Sequence, residues 1–218
     1  MTTCAVETLK EEAASTVHVV DDDESLRVAV TRLLRAAGFQ VQSYASAGEY
    51  LLRRKPGMNG CLLLDMRMPG PSGLELQAAL QNDRDALPVV FLTAHGDIPM
   101  SVQAMKQGAV DFLTKPVERT ALLHAIKGAL AKQTDESQSR RSVEEYRARL
   151  RSLTDREHQV FVGVVSGKLN KQIAAELGTV ERTVKAHRAQ VMTKMQAASL
   201  ADLVHMADAL RAAGCTIE

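Results

Sequence analysis

From residue 17 to about residue 130, short apolar runs alternate with segments whose apolar residues recur at helical spacing. The runs are Val17-His18-Val19-Val20, Phe39 to Ser43, Cys61-Leu62-Leu63-Leu64, Val89-Val90-Phe91-Leu92 and Val110-Asp111-Phe112-Leu113. Several are continuously apolar rather than alternating, which predicts parallel strands covered on both faces. Between them, Leu26, Ala29, Val30, Leu33 and Leu34 form an apolar stripe that Gly38 can terminate. Ser46-Ala47-Gly48-Glu49 and Ser72-Gly73-Leu74-Glu75 read as capping boxes opening the next two helices. Asp97, followed by Pro99, can start a fourth, and Leu122, Leu123, Ile126 and Leu130 give a fifth its buried face. Five strands alternating strictly with five helices predict a five-stranded parallel sheet with right-handed crossovers, a doubly wound flavodoxin-like α/β fold.

The pattern then changes. Residues 133–142 are polar, after which Val143, Tyr146, Leu150 and Leu153 recur at helical spacing without Pro or Gly. This predicts a helical linker; its spacing would also suit a weak coiled-coil contact between two chains, over fewer than three heptads. Beyond it, everything reads as short helices. Thr154-Asp155-Arg156-Glu157 is a capping box, followed by Val160, Phe161, Val164 and Val165 on one face, with Gly167 as the stop. Asn170 can cap the next helix, which turns Ile173, Ala174 and Leu177 inward and ends at Gly178. A third runs from Glu181 to Met195, and a fourth, starting near Ser199, carries Leu200, Leu203, Val204, Ala207 and Leu210. Two helices joined by a short Gly-containing turn match a helix-turn-helix. Four regions follow: a tail over 1–16, the α/β domain over 17–131, the helical linker over 132–152, and an all-α four-helix domain over 153–218.

Composition adds limits. Hydrophobic residues at 45% and charged residues at 24% fit a soluble globular protein rather than a disordered or membrane chain. The net charge is +1, so any nucleic-acid-binding surface must be local. Cys4, Cys61 and Cys215 show no metal-ligand spacing and no disulfide framework, as expected in a reducing cytosol. The first 16 residues lack a leader-like apolar run, and no stretch is long enough to span a bilayer. A cytoplasmic protein without membrane contact is expected.

In a sheet of this kind, ligands bind beyond the carboxyl ends of the strands. Asp21 and Asp22 follow the first strand, Asp65 ends the third, Thr93 ends the fourth and Lys115 follows the fifth. Three carboxylates, a hydroxyl and an ammonium thus converge on one edge. Close carboxylates repel and call for a divalent cation; hard oxygen ligands suit Mg²⁺. One carboxylate can act as nucleophile toward a phosphoryl group, with the cation and Lys115 neutralising its charge. No dinucleotide-binding or P-loop glycine motif is present.

In the C-terminal domain, Ser166 to Gln196 carries six basic residues (Lys168, Lys171, Arg182, Lys185, Arg188, Lys194) against Glu176 and Glu181. On a helical wheel of Glu181 to Met195, Val184, Val191 and Met195 face the core. Arg182, Lys185, Ala186, Ala189 and Thr193 fall opposite, with Gln190 at the edge. Small residues edged by long cations suit a DNA major groove. Arg182 and Lys185 could contact guanine edges or phosphates; Asn170, Lys171 and Thr183 are candidates for phosphate, and Arg188, nearer the buried side, for a flanking role.

The motifs Val19-Val20-Asp21-Asp22, Asp65-Met66-Arg67-Met68-Pro69, Leu92-Thr93-Ala94 and Phe112-Leu113-Thr114-Lys115-Pro116 resemble the receiver domain of response regulators. Leu153-Thr154-Asp155-Arg156-Glu157, Asn170-Lys171-Gln172-Ile173-Ala174 and Arg182-Thr183-Val184-Lys185-Ala186-His187 resemble the LuxR-type helix-turn-helix. Together with residues 94–111, they point to the FixJ subgroup of the NarL/LuxR regulators. The resemblance implies that Asp65 is phosphorylated by a sensor histidine kinase. It implies Mg²⁺ held by Asp22 and Asp65, by Asp21 through water, and by the Arg67 backbone carbonyl. Lys115 would pair with the phosphoryl group, its bond to Pro116 would be cis, Thr93 would be drawn to the phosphate, and Phe112 would be the switch aromatic; the residues alone favour Phe112 as core packing. Arg67 and His95 flank the pocket, where they are expected to tune hydrolysis of the phosphoryl group.

The expected function is a phosphorylation-dependent transcription regulator, homodimeric when phosphorylated, that binds double-stranded operator DNA, with RNA polymerase as a candidate contact. Its fourth C-terminal helix is either a dimer surface or wholly intradomain. No enzymatic activity is expected beyond its own phosphoryl transfer and dephosphorylation. The alternatives are a regulator indifferent to phosphorylation and an Asp-nucleophile phosphatase. The family usually places Ser before the recognition helix; here Thr179-Val180 stands there. Val cannot cap, which predicts a helix start reset to Thr179 or weakened.

Overall fold

The computed structural model describes residues 15–81, 83, 85–94 and 98–217. Contacts divide the chain into two compact units, Met1–Asp135 and Glu136–Glu218. In the first, strands β1 (Thr16–Val20), β2 (Gln40–Tyr44), β3 (Gly60–Asp65), β4 (Val89–Thr93) and β5 (Asp111–Thr114) pair in parallel in the order β2-β1-β3-β4-β5. Helices α1 (Glu24–Ala36), α2 (Ala47–Arg53), α3 (Gly73–Leu80) and α4 (Ile98–Lys106) alternate with them, and α5 runs over Arg119–Arg151. This is the doubly wound arrangement that the alternating pattern predicts.

The continuously apolar runs have the predicted cause. Every residue of β3 and β4 is buried, because both faces of the sheet are covered. One core gathers Val30 and Leu34 of α1 with Leu122, Ile126 and Ala129 of α5. The other gathers Tyr50, Leu76, Leu80 and Ala104 of α2, α3 and α4. His18, inside β1, is a core histidine: its Nδ1 lies 3.1 Å from the Tyr44 hydroxyl. Burial pushes it down to about 4, so it is neutral at physiological pH.

The second unit holds α6 (Asp155–Val165), α7 (Asn170–Glu176), α8 (Glu181–Met195) and α9 (Leu200–Ala212). Val160, Phe161, Val164, Ile173, Val184, Val191, Met195, Leu203 and Ala207 form its core. Tyr146, Leu150 and Leu153 also pack against this core, so those apolar linker positions are used within the chain. Leu200 is exposed at the first turn of α9, while Leu203, Ala207 and Leu210 are buried.

Helix ends follow the capping chemistry with three differences. Ser72, Thr154 and Ser199 form reciprocal boxes with Glu75, Glu157 and Asp202. Ser46 caps α2 through the Glu49 amide, but the Glu49 carboxylate reaches the Ala45 amide at 2.6 Å instead of closing the box. The cap of α7 is Leu169, not Asn170; Gln172 Oε1 accepts from the Leu169 amide at 2.7 Å, and Asn170 is already helical. At α8 the cap position is Val180, in extended geometry and with no side-chain cap bond, so the start is not reset to Thr179. The expected cap at Asp97 and the readings of His95, Cys4 and most of the 1–16 tail lie outside the described residues. Among the described residues, no helix is long and apolar enough to cross a membrane.

Candidate functional site

In the strand order β2-β1-β3-β4-β5, the chain winds one way from β1 and the other way from β3, which opens a crevice at their carboxyl ends. Asp21 follows β1 and Asp65 closes β3, and both are buried, at 1% and 7% exposure. Asp22, next in the same loop, is exposed. One oxygen from each of Asp21, Asp22 and Asp65 lies within 4.8 Å of the others. A single small divalent cation can span that spread with a water between, and three carboxylates are a hard-oxygen donor set.

Lys115 enters this cluster from beyond β5. Its Nζ stands 2.8 Å from Asp21 Oδ2 and 3.0 Å from Asp65 Oδ2, so one ammonium bridges two buried carboxylates. Burial pushes the Asp65 carboxyl above its ordinary value; the Lys115 hydrogen bond and charge pull it partway back, and the Asp21 charge adds to the rise. Desolvation alone would lower the Lys115 ammonium, but its bonds to Asp21 and Asp65 outweigh that and raise it. The Lys115-Pro116 peptide is cis. Thr93 is buried at the end of β4, and Phe112, paired with Phe91 in the ladder, is half-buried against the core on the α2–α4 side. The Arg67 amide donates toward Asp65 Oδ1 at 3.4 Å, and its side chain is exposed.

The loop between β1 and α1 is held from several directions. The Asp21 amide donates to the Tyr44 carbonyl at 3.2 Å, and the Asp23 amide donates to Asp21 Oδ1 at 2.9 Å. Asp23 caps α1 by accepting from the Leu26 amide. Arg27 Nη1 donates to the carbonyls of Asp21 and Asp22 at 2.7 Å and 3.3 Å. The sequence reasoning passed over Asp23 and Arg27; Asp23 carried a legible signal, an acid just before the apolar stripe of α1. On the other side, Gly73 opens α3 so close to β3 that a Cβ there would lie 2.3 Å from the Asp65 carbonyl oxygen.

In the second unit, α8 buries Val184, Val191 and Met195 and exposes Arg182, Lys185, Ala186, Ala189 and Gln190. Lys171 is exposed on α7, while Asn170, Thr183 and Arg188 are half-buried. Arg188 Nη1 donates to Asn170 Oδ1 at 3.3 Å, tying α8 to the start of α7. Two of the six cations in the basic segment are engaged elsewhere: Lys168 pairs with Glu176 at 2.7 Å, and Lys194 with Glu157 at 2.6 Å. The cationic surface therefore narrows to Lys171 on α7 and to Arg182 and Lys185 on α8, where the small residues Ala186 and Ala189 are also exposed.

Two family models match the chain. The response regulator receiver domain covers residues 17–127, and the luxR family of bacterial regulatory proteins covers residues 151–207. The chain belongs to the response regulators. The regulator is 45% identical to nodulation protein W of Bradyrhizobium diazoefficiens over 89% of its own length and 86% of that protein. It is 42% identical to the transcriptional regulatory protein FixJ of Azorhizobium caulinodans, over 88% and 90% of the two chains. Among solved structures, the response regulator StyR superposes with a TM-score of 0.77 at 50% identity, covering 90% of the regulator and 99% of StyR. Full-length FixJ from B. japonicum gives a TM-score of 0.55 at 40% identity, covering 91% and 98%. The regulator thus couples a receiver to a LuxR-type DNA-binding module in one chain, as FixJ-like transcription regulators do.

Proposed function

We propose that Asp65 accepts a phosphoryl group from a sensor histidine kinase and that this event controls operator binding by α8. The observation that carries the reading is the Lys115 bridge to Asp21 and Asp65, with Asp22 within 4.8 Å, at the crevice of the sheet. In the transfer, an Asp65 carboxylate oxygen attacks phosphorus, and the bond from phosphorus to the kinase imidazole nitrogen breaks. The imidazole leaves with the bonding pair and takes up a proton, and Asp65 becomes an acyl phosphate. Asp21, Asp22, Asp65 and the Arg67 carbonyl would hold Mg²⁺, which supplies charge neutralisation on the phosphoryl oxygens. Lys115 holds its ammonium beside the attacking carboxylate and can follow the developing charge onto the phosphoryl group.

The new group adds about −1.5 to −2 of charge and three acceptors to a buried site. Thr93 would donate its hydroxyl to a phosphoryl oxygen, and Phe112, on the neighbouring strand, would take up the space that movement opens. The altered receiver face favours a homodimer, and two α8 helices read a two-fold site with avidity. Arg182, Lys185, Ala186, Ala189 and Gln190 would meet the groove, with Asn170, Lys171, Thr183 and Arg188 positioning the module on phosphates. The reading places the regulator in the cytoplasm, with RNA polymerase as a candidate contact, and gives it no turnover beyond its own phosphorylation and dephosphorylation.

The test is DNA affinity with and without an acyl-phosphate donor, after operator sequences are selected from random DNA. The donor should tighten binding by the parent and leave Asp65→Ala unchanged. Equal affinity of parent and Asp65→Ala under both conditions would establish a regulator indifferent to phosphorylation. Steady turnover of a phosphorylated substrate would establish a phosphatase.

A further inference from the structure

We infer that Arg27 is a positioning residue of the acidic site: its guanidinium clamps the backbone of the loop that carries Asp21 and Asp22, holding their carboxylates preorganised for a divalent cation. The inference rests on the phosphoacceptor reading and adds to it a residue from α1. Arg27 Nη1 donates to the Asp21 carbonyl at 2.7 Å and to the Asp22 carbonyl at 3.3 Å. Those carbonyls belong to the peptide units that set where the two side chains point. The other fastenings of the loop act elsewhere, at the Asp21 amide and the Asp23 amide. Arg27 is also well anchored, because it sits one turn into a helix whose Val30 and Leu34 are buried in the core.

The need for a clamp follows from charge. With the cation absent, Asp21, Asp22 and Asp65 crowd three carboxylates within 4.8 Å, while the Lys115 ammonium engages only Asp21 and Asp65. Asp22 is exposed and is bonded to the protein through its carbonyl, so repulsion would swing it away. A loop free to swing must be reordered when the cation binds, and that ordering weakens affinity. A guanidinium suits the task, because it is permanently charged and its nitrogen can serve two carbonyls from a fixed plane. Lysine would bring a point charge on a shorter reach.

A positioning role and a simple countercharge role predict opposite signs. If Arg27 only neutralised the carboxylates, removing its charge would tighten cation binding. If it positions the loop, both Arg27→Met and Arg27→Lys weaken binding, by roughly tenfold, as for other residues that orient ligands from outside. The probe is Mn²⁺ added to the full-length protein, followed by loss of the free-ion electron paramagnetic resonance signal, with Mg²⁺ as competitor. Thermal unfolding shows whether each variant is folded. In parallel, the Mg²⁺ concentration for half-maximal phosphorylation by an acyl-phosphate donor should rise, while the rate at saturating Mg²⁺ recovers to within about twofold, since the reacting groups are intact. Folded Arg27→Met that binds Mn²⁺ as tightly as the parent, or more tightly, overturns the clamp. Folded Arg27→Lys matching the parent also overturns it. A parent whose Mn²⁺ binding survives Asp65→Ala unchanged sinks the underlying phosphoacceptor reading instead.

Discussion

Gly73→Ala perturbs the acidic site without touching a reacting group. Gly73 is the first residue of α3, and an added Cβ would stand 2.3 Å from the Asp65 carbonyl oxygen and 3.1 Å from Leu64 Cγ. A carbon approaches a carbonyl oxygen comfortably at about 3.3 Å, so roughly 1 Å must be found. One route moves α3 outward, which loosens Leu76 and Leu80, both buried. The other moves the end of β3, which carries Asp65. Overpacking of this size costs about 1–3 kcal/mol, which lowers Tm by about 4 to 12 °C for a unit of this length. If the strand end yields, misplacing the nucleophile by 1 Å costs up to about 100-fold in phosphorylation rate. Gly128→Ala is the control, because no atom lies within 4 Å of a Cβ there. Thermal unfolding of both variants, with phosphorylation by an acyl-phosphate donor at saturating Mg²⁺, makes the comparison. A Gly73→Ala protein within 1 °C and twofold of the parent would refute the reasoning.

Val180→Ser should raise the stability of the C-terminal unit by about 1 kcal/mol, because Val180 already holds extended cap geometry and lacks only an acceptor; an unchanged or lower Tm counts against this. In the metal-free protein the Asp65 carboxyl should titrate above its ordinary range, because burial disfavours the carboxylate, and added Mg²⁺ should bring it down; carboxyl-carbon NMR titration checks both. Lys115→Met removes the opposing hydrogen bond and charge and should move that metal-free titration further up; a downward move contradicts the cause assigned. Lys185→Ala should weaken DNA binding. If Lys185 meets phosphate, the slope of log affinity against log salt falls by about 1 with sequence preference kept; if it meets guanine, preference relaxes at one position.

The elements most legible in the sequence were those with the strongest physical demand. β3 and β4 must be apolar throughout because both their faces are covered, so Asp65 and Thr93 stand out as the residues that end these runs. The order of Asp21, Asp65, Thr93 and Lys115 then places them on one edge of any parallel sheet. What escaped reading were contacts without periodicity. Arg27 reaches back to backbone carbonyls, and no spacing rule marks a side chain for that role. Asn170 looks like a cap by residue type, yet its carboxamide accepts from Arg188 eighteen positions away, a partner only the tertiary fold brings near. The basic segment looked broader than it is because the pairing of Lys194 with Glu157 depends on how α6 packs against α8. The spacing of Tyr146 and Leu150 marks a helix face, but the core they pack against is shown only by the tertiary fold.

Among the described residues, the starts of α3, α6 and α9 are closed by reciprocal caps, while α7 and α8 open on the apolar residues Leu169 and Val180, exposed at 69% and 64%. The first amides of a helix lack internal acceptors and carry the positive end of its dipole. At α8 the cap residue Val180 makes no side-chain cap bond, which leaves that place open to solvent or to an anion. On the proposed reading a DNA phosphate would be such an anion, and the exposed valine would shield the contact from solvent. Hydrogen exchange at the amides of Glu181 and Arg182 should then slow on operator binding far more than at the closed start of α9.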